Sequence, residues 1–118
     1  MYNKRQLYQI FKGVREGKDV TWYDKSYDGE PIYDALQMEQ IRLGLNQAEV
    51  NVKLYANFKY SAGQMSEIRK CMMHGAKPDK ILNYNLSPEK MHDIWTGEVR
   101  KFRDGLGGGI DGIKRITF

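Results

Sequence analysis

Residues 33–41 read YDALQMEQI, and the same order of residue types occurs three more times in the 118-residue chain. The other copies are YNKRQLYQI at residues 2–10, YSAGQMSEI at residues 60–68 and LSPEKMHDI at residues 86–94. We number these four segments 1 to 4 in chain order. Their central Leu or Met residues are 31, 27 and 26 residues apart, and periods of this size are typical of stacked supersecondary units. The sequence therefore predicts four short repeats.

Each segment begins with residues that start an α-helix. Its second residue is a good N-cap, which accepts a hydrogen bond from a backbone N–H of the first turn. In segments 1 to 3 a Gln stands three residues after the N-cap, where the side chain in a capping box accepts a hydrogen bond from the N-cap backbone N–H. The first residue of each segment can pack on the central Leu or Met as a hydrophobic staple. Segment 4 has Lys90 in place of the Gln, but Pro88 suits the first helical position. The N-caps are Asn3, Asp34, Ser61 and Ser87, and the glutamines are Gln6, Gln37 and Gln64.

Apolar residues continue at helical spacing after each start, which predicts one buried face per helix. The stripes are Leu7-Ile10-Val14, Met38-Ile41-Leu45 and Met65-Ile68-Met72. A small residue follows three positions after each isoleucine, and these residues are Gly13, Gly44, Cys71 and Gly97. Glycine inside a helix costs about 1 kcal/mol relative to alanine, so its recurrence predicts a close approach between helices.

Short second elements lie between the helices, at residues 19–23, 50–55 and 79–84. They are too short for a long helix, and both a strand and a single helical turn remain open. Asp19 and Asp79 favour the turn, because each can cap one.

These patterns predict an all-α fold, with a compact array of four short helix-turn repeats and short second elements. The repeat domain covers residues 1–104, and an irregular, glycine-rich C-terminal tail covers residues 105–118. We expect the tail to be either a docked strand or a flexible arm.

The composition argues against a secreted or membrane protein. Cys71 is the only cysteine, so it cannot form an internal disulfide, and it fits a reducing cytoplasm. No apolar run approaches the roughly 18 residues of a membrane span, and residues 2–10 read as a capped helix rather than a signal peptide. We therefore expect a cytoplasmic protein without membrane contact.

Residues that could carry catalysis or hold a metal are few. Residues 24–29 match the start of a calcium-binding loop, but Ala35 stands where the loop needs a bidentate Glu, so we interpret them as an inserted turn. Cys71, His74 and His92 are the only soft metal ligands, too few and too scattered for zinc. Nothing resembles a Ser/His/Asp set. The sequence predicts a non-catalytic protein without a metal or cofactor.

The net charge of +4 is concentrated at the two ends of the chain. Six Lys or Arg oppose three Asp or Glu in residues 1–27, and five oppose three in residues 96–118. Such ends can contact phosphates, so nucleic acid is one candidate partner, although a solvated surface explains the same charges. The candidate binding residues are Lys4, Arg5, Lys12, Arg15, Arg100, Lys101, Arg103, Lys114 and Arg115.

Aromatic residues between and within the segments are expected to belong to the core rather than to a binding surface. Tyr and Trp are nonetheless favoured anchors when the partner is a protein. The residues concerned are Tyr23, Tyr27, Tyr55, Phe58, Tyr84 and Trp95.

The core Gln-Met-x-x-Ile-Arg of residues 37–42 and 64–69 resembles a repeat found in tandem in bacterial proteins, often on phage and other mobile elements. The trailing Tyr-Ala-Asn of residues 55–57 fits the same pattern. The resemblance covers most of residues 2–95 and is clearest in segments 2 and 3, whereas segments 1 and 4 depart from it, with Phe11 and Trp95 in place of the Arg.

This resemblance implies no enzymatic activity. It suggests a binding protein that engages a protein partner, by analogy an inhibitor of a host defence complex such as an anti-CRISPR protein. Direct nucleic-acid binding through the basic ends is the alternative hypothesis.

Overall fold

The computed structural model of the chain describes residues 1–107. Residues 108–118, which contain most of the predicted tail with Lys114 and Arg115, lie outside the described part. The helices are α1 (Lys4–Arg15), α2 (Ala35–Leu45), α3 (Ala62–Met73) and α4 (Pro88–Gly107). These helices confirm the predicted all-α class in its broad form. The only departure among the described residues is one small hairpin of β1 (Ser26–Tyr27) and β2 (Glu30–Pro31). No helix in residues 1–107 is long and apolar enough to cross a membrane.

The second elements are single 3-10 turns, which settles the choice that the sequence left open. They span Val20–Trp22, Val52–Leu54 and Asp79–Ile81. Asp19 caps the first turn as predicted, whereas Asp79 lies inside the third turn, whose N-cap is Pro78.

The predicted helix starts are confirmed. In α1, the backbone N–H of Gln6 donates to Asn3 Oδ1 and the N–H of Asn3 donates to Gln6 Oε1, both at 2.8 Å. The same reciprocal pair occurs in α2 and α3. At the start of α4, Ser87 Oγ accepts from the N–H of Lys90 at 3.1 Å, and no side chain bonds back there. Each helix therefore begins where its cap stands.

The capping glutamines also bind the next segment, which the sequence did not reveal. Gln6 Nε2 donates to the carbonyl of Tyr33 at 2.8 Å, immediately before the N-cap of α2. Gln37 and Gln64 donate in the same way to the carbonyls that precede the caps of α3 and α4, at 2.8 and 2.7 Å. Lys90 is exposed, and in the described part of the chain no further segment offers it a carbonyl. Each Gln thus fixes its own helix start to the next one.

The helices lie in a row, with α1 packed on α2, α2 on α3, and α3 on α4. The principal extents of 60, 32 and 18 Å describe an elongated, flattened layer. The central residues Met38, Met65 and Met91 are fully buried, as the apolar stripes predict. Val14 is an exception, with 59% of its surface exposed.

Gly13 and Gly44 make room for a tyrosine of the following 3-10 turn, not for another helix as we predicted. Tyr55 Oη donates to the carbonyl of Gln40 at 2.6 Å, and a Cβ on Gly44 would lie 2.1 Å from that oxygen. Tyr23 occupies the same position over Gly13. The recurrent glycine is therefore a steric requirement of the buried tyrosine hydroxyl.

The third segment meets the same packing problem with another pair of residues. Cys71 stands at the position of Gly44, and Ile81 stands at the position of Tyr55 relative to the next N-cap; both are buried. Ile81 has no hydroxyl to direct at α3. The space that a tyrosine hydroxyl fills beside Gly13 and Gly44 can therefore hold the sulfur atom of Cys71. This accounts for the predicted small-residue position of Cys71.

The letters that resemble a calcium loop form the tight turn of the hairpin. Asp28 and Gly29, between β1 and β2, both have positive φ angles, of 54° and 82°. Two-residue hairpin turns require this left-handed backbone, and Asp-Gly is a favoured pair for it. The interpretation of residues 24–29 as an inserted turn is confirmed.

We predict that Gln37→Ala lowers the free energy of unfolding by about 2 kcal/mol, because it removes the capping-box bond and leaves the buried carbonyl of Tyr60 without its donor. Urea denaturation followed by circular dichroism measures the change. Lys90→Ala is the matched control at the aligned, exposed position, and its effect should stay within about 0.5 kcal/mol. Equal losses in both variants would contradict a role for Gln37 between segments.

We also predict that Gly44→Ala destabilises the protein by about 2 kcal/mol, although alanine is the better helix former, because the new methyl group collides with Tyr55. Gly97→Ala should instead stabilise the protein by up to about 1 kcal/mol, since a Cβ there meets open space inside α4. Thermal and urea unfolding of the two variants gives the comparison, and a stabilising Gly44→Ala would refute the steric explanation.

Candidate functional site

A buried arginine joins α2 to α1. Arg42 Nε donates to Gln9 Oε1 at 2.8 Å, and Arg42 Nη1 lies 3.1 Å from both carboxylate oxygens of Glu16. Arg42 is only 6% exposed. Burial would raise the pKa of Glu16, but hydrogen bonds from Asn46 and Arg42 outweigh it and lower that pKa. The acceptor is therefore ionised at neutral pH.

The next interface repeats this arrangement. Arg69 Nε, in α3, donates to Gln40 Oε1 of α2 at 2.9 Å, and Arg69 Nη1 donates to Gln47 Oε1 at 3.3 Å. These three residues, Arg69, Gln40 and Gln47, occupy the aligned positions of Arg42, Gln9 and Glu16 one segment later. We call the donor position, four residues after the central Leu or Met, the ladder position.

At the third interface the ladder position is Trp95, one of the two departures seen in the sequence. Its Nε1 donates to Glu67 Oε1 at 2.9 Å, and its ring centroid lies 5.0 Å from that of His74. Glu67 is aligned with Gln9 and Gln40. The bond between neighbouring helices is thus kept, although both residue types have changed.

In α1 the ladder position is Phe11, and among the described residues no helix packs against it. Phe11 is 59% exposed, and Tyr8, on the same side of the helix, is 54% exposed. Together with Lys4 and Arg15 they follow the helical spacing i, i+4, i+7 and i+11. We call these four residues the open face of α1. It corresponds to the face with which each later helix contacts its predecessor.

Val14 is exposed, contrary to the apolar-stripe prediction. Its counterpart Met72 has the preceding segment beside it, since Met72 Sδ lies 3.5 Å from the backbone N of Asn51. Val14 lies at the border of the open face, against which no described helix packs. The stripe gave the right helix face for α2 and α3, but it could not show which residues lie beside that face.

Positive charge surrounds the apolar centre of the open face. Lys4, Arg5, Lys12 and Arg15 all belong to α1, and Lys4–Arg15 contains no acidic residue. Lys12 Nζ lies 5.7 Å from the centroid of the Tyr8 ring, within the range of a cation–π contact. A shallow cavity of about 240 Å³ adjoins the face and is lined by Lys4, Arg5, Tyr8, Gln9, Ala35 and Leu36. The face is basic at its rim and aromatic at its centre.

The structure separates the predicted binding residues into two groups. Lys4, Arg5, Lys12 and Arg15 lie on the first helix of the row, whereas Arg100, Lys101 and Arg103 are exposed on the last. The predicted residues Lys114 and Arg115 lie outside the described part.

The aromatic residues are divided between core and surface. Tyr23, Tyr55 and Trp95 are buried as predicted, but Tyr27, Phe58 and Tyr84 are exposed, contrary to the core expectation. The exposed three lie in the loops and hairpin before helix starts. Tyr8 and Phe11 were absent from the predicted binding set, although Phe11 in place of the recurrent Arg was a visible signal.

Cys71, the one cysteine of the chain, is buried. Burial raises the pKa of the Cys71 thiol to about 11, so the thiol is protonated at neutral pH and is a poor nucleophile. Among the described residues no three His, Cys, Asp or Glu side chains are grouped to hold a metal ion. Comparisons with protein-family models, with curated proteins and with solved structures find no match to this chain. The resemblance to mobile-element repeats therefore stays a prediction.

The α3–α4 interface makes stability depend on pH through Glu67. Burial would raise the pKa of Glu67, but its bonds with Trp95, His92 and Lys70 outweigh burial and lower that pKa below its ordinary value of 4.5. A carboxyl group with a lowered pKa stabilises the fold above the unfolded-state pKa, and this contribution is lost as the pH falls through the folded-state pKa.

We therefore predict that Glu67→Gln destabilises the protein most near neutral pH, with a difference from the wild type that shrinks as the pH falls below about 4.5. Urea denaturation at about pH 7 and about pH 3 measures the difference. Glu89→Gln, at an exposed position in the first turn of α4, is the control. A difference that is independent of pH would contradict the role of the ionised carboxylate.

Proposed function

We propose that this chain is a non-catalytic helical-repeat protein that binds a protein partner through the open face of α1. The observation that carries the proposal is Phe11, an exposed aromatic residue at the position where the later helices contact their predecessors. The proposal includes the four-repeat interpretation, which the recurrence of the same hydrogen bonds at aligned positions supports.

The composition of the open face supports a partner there. In repeat arrays a face that is left to solvent is normally polar. The first helix departs from this rule, since Tyr8, Phe11 and Val14 are all more than half exposed. The open face also contains Tyr8 and Arg15, and tyrosine and arginine are among the residue types that contribute most binding energy at protein interfaces.

The kind of partner follows from the resemblance to repeats on phage and mobile elements. By that analogy we propose a host defence complex, such as a CRISPR effector, as the target, and inhibition by occlusion as the mode of action. A blocking protein of this kind needs a surface and no catalytic group.

Nucleic acid is the second candidate, and one observation favours it. Tyr8 and Phe11 are interspersed with Lys4, Lys12 and Arg15, and single-stranded nucleic acids stack bases on aromatic rings while basic residues contact the phosphates. Such binding weakens steeply with salt. Anisotropy of a labelled oligothymidine across a salt series therefore tests this candidate directly.

Phe11 and Phe58 form a matched pair of exposed phenylalanines for a test of the main proposal, at 59% and 58% exposure. With a photo-crosslinking residue at each position in turn, the chain is incubated with lysate of its source cells. The captured protein is identified by mass spectrometry, purified and titrated with the chain.

We expect position 11 to yield a defined crosslink, and Phe11→Glu to weaken binding of the purified partner by about tenfold or more, because a charge replaces the central apolar contact. Phe58→Glu should change the affinity by less than about twofold. If Phe58→Glu is the variant that loses binding, the partner contacts the surface where Phe58 lines a cavity with Tyr27 and Ile32 of the hairpin region, and the assignment to the open face is wrong.

A further inference from the structure

We propose that the open face of α1 accepts an acidic amphipathic α-helix of the partner, with an apolar residue seated directly against Phe11. This inference rests on the proposed protein-binding function and specifies the chemistry of its partner. Its evidence is the set of three helix–helix interfaces that the chain itself contains.

Those interfaces show what the corresponding face of a helix receives. In α2, α3 and α4 the ladder residue contacts the helix before it, at side chains two positions after that helix's central Leu or Met. The open face has the same position on the helix and the same spacing. A partner helix that packs on α1 as α1 packs on α2 would therefore place one residue against Phe11. That residue would correspond to Gln9, Gln40 and Glu67 at the internal interfaces.

That equivalent residue is a hydrogen-bond acceptor at every internal interface, because the ladder residue is a donor. Gln9, Gln40 and Glu67 accept from Arg42, Arg69 and Trp95. Phe11 has no donor to offer. An amide or carboxylate placed against it would lose water without gaining a bond, so the partner must present an apolar side chain at this point.

The rim of the face determines the charge of the partner helix. Lys4 and Arg15 lie at the two ends of the face, Lys12 lies beside Tyr8, and α1 has no acidic residue to neutralise them. Glu16, the nearest acid in sequence after the helix, is already bound by Arg42 and Asn46. Acidic residues on both sides of the apolar stripe complement this rim.

A second copy of this chain is a poor occupant. Its last helix would have to supply the stripe, and there the residue aligned with Gln9 is Asp93, an exposed carboxylate. Lys90, Arg100 and Lys101 are exposed on the same helix as Glu89 and Asp104, so its rim carries both signs of charge. A carboxylate would meet Phe11, and the mixed rim would complement the basic residues of α1 only in part. Self-association in a head-to-tail row is therefore disfavoured, chiefly at the centre.

The test uses the full-length chain and three labelled synthetic peptides of about 18 residues, or about five helical turns. The first has a leucine stripe at i, i+3, i+4 and i+7 with glutamates on both sides. The second replaces the glutamates with lysines, and the third has the composition of the first in scrambled order. Fluorescence anisotropy gives the affinities.

We expect the acidic amphipathic peptide to bind at least about tenfold more tightly than either control peptide. Its affinity should fall by about tenfold with Phe11→Glu, and by less than about twofold with Phe58→Glu. An acidic peptide that binds no better than its scrambled form, or equally well to both variants, overturns the proposal.

A second measurement tests the apolar seat itself through a double-mutant cycle. One central leucine of the peptide is changed to glutamine, and Phe11 is changed to Arg, which restores the ladder residue of α2 and α3. Wild type should prefer leucine at this position, whereas Phe11→Arg should prefer glutamine. Additive effects at every stripe position tested would overturn the inferred contact with Phe11.

The experimental outcomes distinguish a failure of the acidic-helix proposal from a failure of the proposed protein-binding function. A partner crosslinked at position 11 that contacts it through a loop or strand refutes the acidic helix but leaves protein binding intact. Failure of both the crosslink and the peptides refutes both proposals. Phe11-dependent binding of oligothymidine without peptide binding identifies nucleic acid as the occupant. A dimer mass in light scattering that Phe11→Glu reduces to a monomer identifies a second copy.

Discussion

The double hydrogen bonding of Gln6, Gln37 and Gln64 is the constraint on which the rest of the structure depends. In each of these residues Oε1 accepts from the N–H of the helix's own N-cap, while Nε2 donates to the carbonyl before the next N-cap. Both ends of one buried amide are thereby satisfied. Because the amide is short and planar, the start of one helix determines where the next can begin, and the helices form a row.

The second line of contacts, at the ladder position, pairs a different donor with a complementary acceptor at each interface. Arg42 and Arg69 donate through Nε to the amides of Gln9 and Gln40, Arg42 also contacts the carboxylate of Glu16, and Trp95 donates to the carboxylate of Glu67. The indole of Trp95 has a single N–H and so makes one hydrogen bond to the Glu67 carboxylate. That carboxylate also contacts His92 and Lys70, which bind its remaining acceptor sites. Gly44 with Tyr55 and Cys71 with Ile81 show the same complementarity in the core. The helices therefore pack in the same way at each interface, although the residue types in contact differ.

These relations explain how far the sequence could be interpreted. Caps and capping boxes act within four residues, so their letters sufficed to locate all four helix starts. The Tyr60 carbonyl that accepts from Gln37 is 23 residues away in the sequence, and the Gln9 amide that accepts from Arg42 is 33 residues away. No local sequence pattern identifies such distant partners. The glycine recurrence was visible, but its cause lies in the hydroxyl of a tyrosine in another element. Val14 was misassigned because a helical stripe does not indicate whether a neighbour exists.

The two ends of the row differ in a way that bears on function. At the last helix, the positions that would contact a further segment carry Lys90 and Asp93, both exposed and polar, as expected where the described row ends. At the first helix, the equivalent boundary carries Phe11 and Tyr8. A face that needs only to be solvated would lose nothing with an arginine at position 11, since the same residue type already serves α2 and α3. Phenylalanine is useful on such a face only when something covers it, so the contrast between the exposed faces of α1 and α4 is an argument for the proposed partner at α1.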